Sequence, residues 1–279
     1  MNVSFDKLGL VGRLGNALYE LAATAGIAHT MGVEPRFNTN WIHRPYFSVP
    51  DRYFTDNFAG CVQADRTHLA QHIDERARVY LQDWNLFKDV VPTLREWLQP
   101  SRLAEEIMAA DPQVAEFRAL PHPILAVHVR RGDNVYDPGT PNKHLWHPVP
   151  SLAYYQRAIE MLASDAASIA VFGDDPEWNT ANIPGDYHHV GVVRPKEHEP
   201  DYLTAEVSDW LDWQLIVRAD ASVVSNSTYG IMAAIIGDHD HVVYPWPIFG
   251  PNLRYVNASL MVPAEWQRLD YNHMTVTPR

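Results

Sequence analysis

Ile124-Leu-Ala-Val-His-Val-Arg-Arg-Gly-Asp133 sets the organisation of the whole chain. Five of its first six residues are apolar, which predicts a buried strand in a parallel sheet that is covered on both faces. The strand runs directly into two arginines, and ligands bind at the carboxyl ends of strands in open parallel sheets. Among anions, phosphate suits the forked guanidinium donors best, so Arg130 and Arg131 are candidates for holding one.

A second interpretation places the two arginines in surface ion pairs and packs His128 inside the sheet. The residues of this stretch do not choose between an anion site and ion pairs. The upstream Pro121-His122-Pro123 interrupts the pattern and marks the expected boundary between two domains.

Length, charge and cysteine content limit the classes of function. A chain of 279 residues accommodates one large domain or two of roughly 140 residues each. The formal charge of −12 argues against a general nucleic-acid or anionic-membrane surface, so an anionic ligand needs a local basic pocket. Cys61 is the single cysteine, which excludes an intrachain disulfide and a cysteine-based zinc site.

The sequence shows no targeting segment. Its first residues contain no basic stretch followed by an apolar core, and no stretch approaches 18 apolar residues. We therefore expect no signal peptide, no stable membrane insertion and a cytoplasmic location.

A glycine-rich turn follows the first predicted strand. Residues 2–10 alternate loosely as in a strand, and Gly12-Arg13-Leu14-Gly15-Asn16 comes next. Apolar residues then recur at helical spacing, at Leu14, Leu18, Leu21, Ala25 and Ala28. Such a turn lets backbone amides approach an anion, although for this motif alone an ordinary tight turn is the better explanation.

Two aspartates follow the next buried strand, residues 168–172, in Gly173-Asp174-Asp175. Paired carboxylates in this place suit a divalent metal ion or a guanine ring, whose N1 and N2 both donate to a carboxylate. They also suit the cap of a following helix. The residues alone leave these three alternatives open.

Small polar residues follow a third buried strand, residues 221–225, in Ser225-Asn226-Ser227-Thr228, before an apolar helix at residues 231–236. Hydroxyl side chains and backbone amides at a strand-to-helix turn can hold a phosphate together. Helix capping alone is the alternative.

Periodicity places three further elements. Ser151 suits a helix N-cap, and apolar residues follow it at helical spacing through residue 162. Residues 209–218 predict another helix, and residues 242–244 predict the last strand before a proline-rich tail.

The arginine motif resembles that of a known family. His128-Val129-Arg130-Arg131-Gly132-Asp133 is similar to the His-x-Arg-Arg-Gly-Asp motif of the alpha-1,2-fucosyltransferases, which use GDP-fucose. Related His-x-Arg motifs occur in the alpha-1,6- and protein O-fucosyltransferases. Residues 12–16 resemble the Gly-Arg-Phe-Gly-Asn of the latter. Residues 172–178 and 225–230 resemble the family's Phe-Ser-Asp-Asp-x-x-Trp and Ser-Asn-Ser-Ser-Phe-Ser segments, so that four motifs occur in family order.

Two segments depart from the family pattern in ways that affect the assignment of roles. Tyr80-Leu-Gln-Asp-Trp84 resembles a Tyr-Leu-Gln-Gly-Tyr/Trp segment, but Asp83 replaces the glycine, so no role is carried over. Ile231-Met232 replaces a tryptophan pair, which puts contacts to the sugar or acceptor in doubt.

The resemblance implies an α/β fold of two Rossmann-like domains that face each other across a cleft, the GT-B arrangement. Residues 1–120 would form the acceptor-side domain and residues 121–279 the GDP-sugar-binding domain. The last residues would be able to pack back on the first domain.

The resemblance also implies an inverting transfer of L-fucose from GDP-fucose to a glycan hydroxyl, with linkage to O2 of galactose. Arg130, helped by Arg131, would stabilise the leaving diphosphate, and Asp133, Asp83 and Glu20 are candidates for the general base. The donor-binding candidates are Gly12, Arg13, Asn16, His128, Arg130, Asp174, Asp175, Ser225, Asn226, Ser227 and Thr228.

Arginine can replace a metal ion at a leaving diphosphate, so we expect no metal and no cofactor. The expected partners are a nucleotide sugar and a glycan acceptor, without nucleic acid. The alternatives are a transferase for another GDP-sugar, a catalytically silent relative that binds glycans or nucleotides, and a metal-dependent transferase. The sequence does not give the oligomeric state.

Overall fold

The computed structural model of the chain describes residues 1–69, 80–136, 142–183, 185, 187–190, 203–271 and 275–277. The chain divides into two compact units. The first comprises Met1–Ile107 with Ser259–Pro263, and the second comprises Met108–Ala258 with Ala264–Arg279. The functional division into residues 1–120 and 121–279 stays a prediction.

Helices and strands alternate through much of both units. The helices are α1 (Leu14–Thr30), α2 (Val91–Trp97), α3 (Arg102–Ala110), α4 (Pro112–Arg118), α5 (Gly132–Tyr136), α6 (Leu152–Leu162), α7 (Pro176–Asn182), α8 (Leu203–Val217) and α9 (Thr228–Gly237). The strands are β1 (Asn2–Phe5), β2 (Pro35–Asn38), β3 (Phe54–Thr55), β4 (Cys61–Gln63), β5 (Ile124–Val129), β6 (Ser168–Gly173), β7 (His188–His189), β8 (Ala221–Val223), β9 (His241–Trp246), β10 (Gln267–Asp270) and β11 (Thr275–Thr277).

The first unit contains a sheet with strand order β3-β2-β1-β4, in which each neighbouring pair is parallel. Val3 is paired with Pro35 on one side and with Val62 on the other. Helix α1 follows β1 through the glycine-rich turn and is buried at nearly every position up to Ala28, including the polar residues Glu20 and Thr24. The predicted strand, turn and helix are confirmed, although β1 ends at Phe5.

The second unit contains a sheet with strand order β11-β10-β9-β8-β5-β6-β7, parallel except for the β10–β11 pair. Strand β5 lies between β6 and β8, and each of its residues is buried. The prediction of a buried parallel strand is therefore confirmed. Because β5, β6 and β8 run in one direction, their carboxyl ends reach the same edge of the sheet, and this edge positions the candidate site.

Helix α6 packs on this sheet. The Ser151 hydroxyl accepts a hydrogen bond from the Tyr154 backbone N–H, so the predicted N-cap is confirmed. The five buried side chains of α6 are Tyr154, Tyr155, Ala158, Ile159 and Leu162. The Tyr154 hydroxyl donates to the Val224 carbonyl at 2.6 Å, which ties α6 to the chain just after β8.

Two sequence expectations need correction. Residues 242–244 lie in β9 but do not form the last strand, because β10 and β11 follow. Strand β10 reads Gln-Arg-Leu-Asp and lacks the apolar run by which the inner strands were recognised. Helix α8 begins at Leu203, earlier than the predicted start at residue 209. Within the described ranges, no helix combines the length and apolar character needed to cross a membrane.

Candidate functional site

The site in the second unit lies where β5 and β6 end. We call it the arginine edge, defined by His128, Arg130, Arg131, Asp174 and Asp175. His128 is paired with Phe172 and Val129 with Gly173 across the two parallel strands, so the residues that follow come together. The in-register ends of two strands thus bring two arginines against two aspartates.

Arg130 forms an ion pair with Asp174 through its Nη1 and the carboxylate Oδ2. Their side chains are 18 % and 29 % exposed, so the pair is only partly in contact with water. The other carboxylate oxygen of Asp174 accepts a hydrogen bond from the Arg131 backbone N–H at 2.8 Å. Asp174 therefore fixes both the Arg130 side chain and the backbone that follows it.

Gly132 leaves the space that this ion pair occupies. A Cβ atom at Gly132 would overlap Asp174 Oδ2 and would lie 3.1 Å from Arg130 Nη1. The glycine of the arginine motif is thus explained by the close approach of the Asp174 carboxylate.

Arg131 is held from two further sides. Its Nε pairs with Asp175 Oδ2 at 3.1 Å, with side-chain exposures of 15 % and 14 %. Its guanidinium carbon lies 3.9 Å from the centre of the Trp178 ring, a cation–π contact. The other oxygen of Asp175 accepts the Trp178 backbone N–H at 3.2 Å and caps α7. The capping alternative for the aspartate pair is therefore correct for Asp175.

The ion-pair interpretation of the arginines describes these contacts, but the pairs are partly buried and do not lie on the surface. Two positive and two negative side chains balance at the arginine edge. Within the described part of the chain, no three His, Cys, Asp or Glu side chains are grouped to hold a metal ion.

His128 is a neutral side chain inside this edge. It is 5 % exposed, and burial together with the nearby Arg130 charge lowers its pKa to about 3. Its Nδ1 lies 3.2 Å from the Ser225 hydroxyl, and its ring lies 5.2 Å from the Tyr229 ring. A Cβ atom at Gly230 would lie 2.6 Å from the same nitrogen, so the glycine makes room for the imidazole.

The predicted phosphate turn, residues 225–228, leads from β8 into α9. Asn226 donates to the carbonyls of Pro148 and Ile248, the latter at 3.3 Å, and so ties two loops together. Ser227 is the N-cap residue of α9, but its side chain makes no capping hydrogen bond. Thr228 begins α9. The first backbone N–H groups of an α-helix have no partner within the helix, and such groups commonly bind anions.

The predicted turn at residues 12–16, here called the glycine turn, belongs to the first unit. Gly12 has φ +74°, and a Cβ atom there would overlap the Asn16 amide nitrogen and lie 2.6 Å from Asn16 Cβ. Asn16 Oδ1 accepts a hydrogen bond from Gln82 Nε2 at 2.9 Å. Arg13 is exposed and stands at the N-cap of α1, without a side-chain capping bond.

Two of the three general-base candidates are inside the first unit. Asp83 is fully buried and accepts hydrogen bonds from the backbone and side chain of Asn85 at 3.0 and 3.1 Å. Glu20 is also fully buried, and burial raises its pKa to about 9, so it is protonated at neutral pH. Neither suits removal of a proton from an acceptor. The Asp133 side chain lies outside the described residues.

Sequence reasoning named His128, both arginines, both aspartates and Ser225, and the structure brings them together at one edge of the sheet, while their binding roles stay predictions. It missed the contributions of Trp178 and Tyr229, and it missed the packing reasons for Gly132 and Gly230. The sequence signal for Trp178 is the tryptophan that ends the Phe-Ser-Asp-Asp-x-x-Trp resemblance at residues 172–178.

The model of the family described as glycosyl transferase family 11 matches residues 36–246, which include the arginine edge and exclude the glycine turn. A galactoside 2-alpha-L-fucosyltransferase of Caenorhabditis elegans is 29% identical over 232 residues, 71% of this chain and 55% of the relative. The chain thus spans just over half the length of that curated relative.

Solved structures with low sequence identity are similar along much of the chain. NodZ alpha-1,6-fucosyltransferase soaked with GDP-fucose is 12% identical with a TM-score of 0.47, covering 99% of this chain and 98% of NodZ. POFUT1 in its apo form is 13% identical with a TM-score of 0.43, covering 87% of this chain and 97% of POFUT1.

Proposed function

We propose, on the premise that this chain belongs to glycosyl transferase family 11, that it transfers L-fucose from GDP-fucose to a glycan hydroxyl, O2 of galactose. The observation that carries the proposal is the arginine edge, where two ordered guanidinium groups follow a buried parallel strand. The curated relative, named a galactoside 2-alpha-L-fucosyltransferase, supports the choice of sugar and acceptor.

The GT-B arrangement, with Rossmann-like domains at residues 1–120 and 121–279 that face each other across a cleft, is part of the proposal. Parallel strands and helices in each compact unit support its Rossmann-like character.

In the proposed reaction, the acceptor oxygen displaces GDP directly at the anomeric carbon and inverts its configuration. The transition state is oxocarbenium-like, and negative charge grows on the leaving diphosphate. Arg130 stabilises that charge, because a preorganised cation in a partly desolvated site acts without reorganising water. A guanidinium carries five N–H donors, more than one carboxylate accepts, so one side chain can serve Asp174 and a phosphate together.

Asp174 and Asp175 act in this proposal first as the groups that orient the arginines. Every oxygen of the two carboxylates already accepts from Arg130, Arg131 or Trp178. A guanine ring binds to the same carboxylates through their remaining lone pairs, since each oxygen accepts two hydrogen bonds. His128, neutral at physiological pH, contacts the donor by hydrogen bonding and not by charge.

The remaining donor contacts are assigned to two backbone turns. Ser225, Ser227, Thr228 and the first amides of α9 bind the diphosphate, while Asn226 holds the loops that shape this turn. Gly12, Arg13 and Asn16 of the glycine turn contact the diphosphate and the fucose. Asp133 is the proposed base that takes the acceptor proton. Metal independence and a cytoplasmic location also belong to the proposal.

A transfer assay tests this function. The protein is incubated with GDP-fucose and a galactoside in the presence of EDTA, and the product is characterised by mass spectrometry and NMR. We expect an α-linked fucose on O2 of galactose. Loss of activity with EDTA would establish a metal-dependent transferase instead, and GDP-fucose binding without any product would establish a silent relative.

Another GDP-sugar as donor is the second candidate, because Ile231-Met232 replaces the family's tryptophan pair. Both side chains are fully buried in α9, so the replacement would change the donor contacts indirectly, through packing. Transfer from GDP-mannose in the same assay, at a higher kcat/KM than from GDP-fucose, would favour this candidate.

A further inference from the structure

Gln82 connects two motifs that the proposed reaction does not yet relate. Its Nε2 donates a hydrogen bond of 2.9 Å to Asn16 Oδ1, across 66 residues of sequence. Gln82 lies in Tyr80–Trp84, the segment to which no role is assigned, and Asn16 ends the glycine turn. Both side chains are half-buried, so the bond is shielded in part from water.

The residues on either side of Gln82 are locked in the core. Leu81 is fully buried with φ +52°, a left-handed conformation that costs a leucine roughly 1–3 kcal/mol and persists where the surroundings enforce it. Asp83 is fully buried and caps the short 3-10 helix Trp84–Leu86 through Asn85. With both neighbours fixed, the backbone at Gln82 is held in place, and its side chain reaches Asn16 from there.

The hydrogen bond decides which way the Asn16 amide faces. An amide side chain has a donor end and an acceptor end, and Gln82 offers a donor. Turning the Asn16 amide over would set two N–H groups against each other. The bond therefore keeps the Asn16 oxygen toward Gln82 and its nitrogen over Gly12, where a Cβ atom would overlap that nitrogen.

We propose that Gln82 is the positioning residue for Asn16: it selects the amide orientation in which Asn16 presents Nδ2, together with the glycine turn, to the donor. Gln82 itself does not touch the substrate. The inference rests on the proposed GDP-fucose transfer and names a residue that controls its donor contact.

Gln82→Glu separates positioning from a structural role. A glutamate of the same length only accepts hydrogen bonds, so it keeps a bond to Asn16 by turning the amide over. We expect kcat/KM for GDP-fucose to fall by roughly 10- to 100-fold, the size of effect that misplacement by about 1 Å produces. The melting temperature stays near that of the wild type. A structural role alone predicts wild-type kinetics for this variant.

Gln82→Ala and the double variants complete the test. Gln82→Ala loses the bond to Asn16, and we expect its kcat/KM for GDP-fucose to fall by a similar factor. The control variant Gln63→Ala loses a 3.0 Å bond to Ser4 in the same unit and should keep wild-type kinetics. In an Asn16→Ala background, Gln82→Ala has no further effect on kcat/KM. Any further loss of kcat/KM caused by Gln82→Glu in the Asn16→Ala background measures the effect of the added negative charge alone.

Three results would overturn the inference. The first is Gln82→Glu with wild-type kinetics, and the second is a Gln82→Ala effect that is undiminished without Asn16, since Gln82 would then contact the donor directly. The third is a wild-type protein that transfers no fucose, which removes the proposed function as well and is recognised without any variant.

Discussion

The arginine edge of the second unit and the glycine turn of the first are held in place by different physical means. At the arginine edge, charged side chains orient one another through the Arg130–Asp174 and Arg131–Asp175 pairs. At the glycine turn, backbone conformation and neutral amides hold the residues in place. Gly12 has φ +74°, and Gln82 donates a hydrogen bond to Asn16.

This difference determines which substitutions each region tolerates. A charge-paired site is sensitive to loss of a charge, because the partner left behind is partly buried and uncompensated. A turn that depends on positive φ and close approach is sensitive to the addition of a single methyl group. The two regions therefore differ in the kind of variant that damages them.

Loss of the Arg130 charge should have the largest effect on activity. Arg130→Ala removes the cation proposed to stabilise the leaving diphosphate, and we expect kcat to fall roughly 10²–10³-fold, as for loss of an oxyanion donor. Arg157→Ala is the matched control, since it breaks an exposed ion pair with Glu160 at 3.1 Å in the same unit. Steady-state kinetics that are equal for the two variants would refute the role of Arg130.

The second-largest effect on activity should come from a methyl group added to the glycine turn. Gly12→Ala places alanine at φ +74° and displaces the Asn16 amide, whereas Gly60→Ala meets the same φ, +75°, with no described atom within 4 Å of its Cβ. Both should lose about 1–2 kcal/mol of unfolding free energy through backbone strain. Only Gly12→Ala should also lose transfer activity. Urea unfolding and kinetics check this, and equal activities of the two variants would contradict it.

A methyl group at the arginine edge should act more mildly. Gly132→Ala drives a Cβ atom into the Asp174 carboxylate and toward Arg130, but flexible side chains can yield where backbone cannot. We expect KM for GDP-fucose to rise about tenfold, which corresponds to about 1.4 kcal/mol of binding free energy. An unchanged KM would show that the Arg130–Asp174 geometry does not matter for donor binding.

Glu20→Gln should change stability without changing activity. Burial raises the Glu20 pKa from 4.5 to about 9, so the folded protein holds a proton that the unfolded chain releases above pH 4.5. The contribution of Glu20 to stability is thus complete below pH 4.5 and is lost as pH rises to about 9, at about 1.4 kcal/mol per pH unit. Glutamine removes this slope, so chemical unfolding at pH 8 should show a more stable variant. A stability profile identical to that of the wild type would contradict the protonated state.

The sequence predicted the structural features that depend on a local pattern of residues. Strand β5 was predictable because an uninterrupted apolar run suits a doubly covered parallel strand, and Ser151 because capping follows a local rule. Three parallel strands then determined that the arginines, aspartates and Ser225 share one edge.

The remaining features depend on contacts between distant segments. The register of β5 against β6 decides whether the arginines pair with carboxylates. The direction in which α7 leaves β6 decides whether Trp178 stacks on Arg131. Gln82 joins Asn16 only once the segment that contains Gln82 packs on α1, the helix that carries Asn16. Strand β10 was not predicted because its sequence, Gln-Arg-Leu-Asp, contains no apolar run.

Calorimetric titration with GDP in the presence of EDTA measures whether the arginine edge binds the diphosphate of a guanine nucleotide without a metal ion. We predict that the wild type and Arg157→Ala bind GDP with equal affinity and that Arg130→Ala binds GDP far more weakly. For the wild type and Arg157→Ala, the affinity for UDP should be much lower than the affinity for GDP. No GDP binding by the wild type, or binding that Arg130→Ala leaves unchanged, would contradict metal-free binding of GDP at the arginine edge.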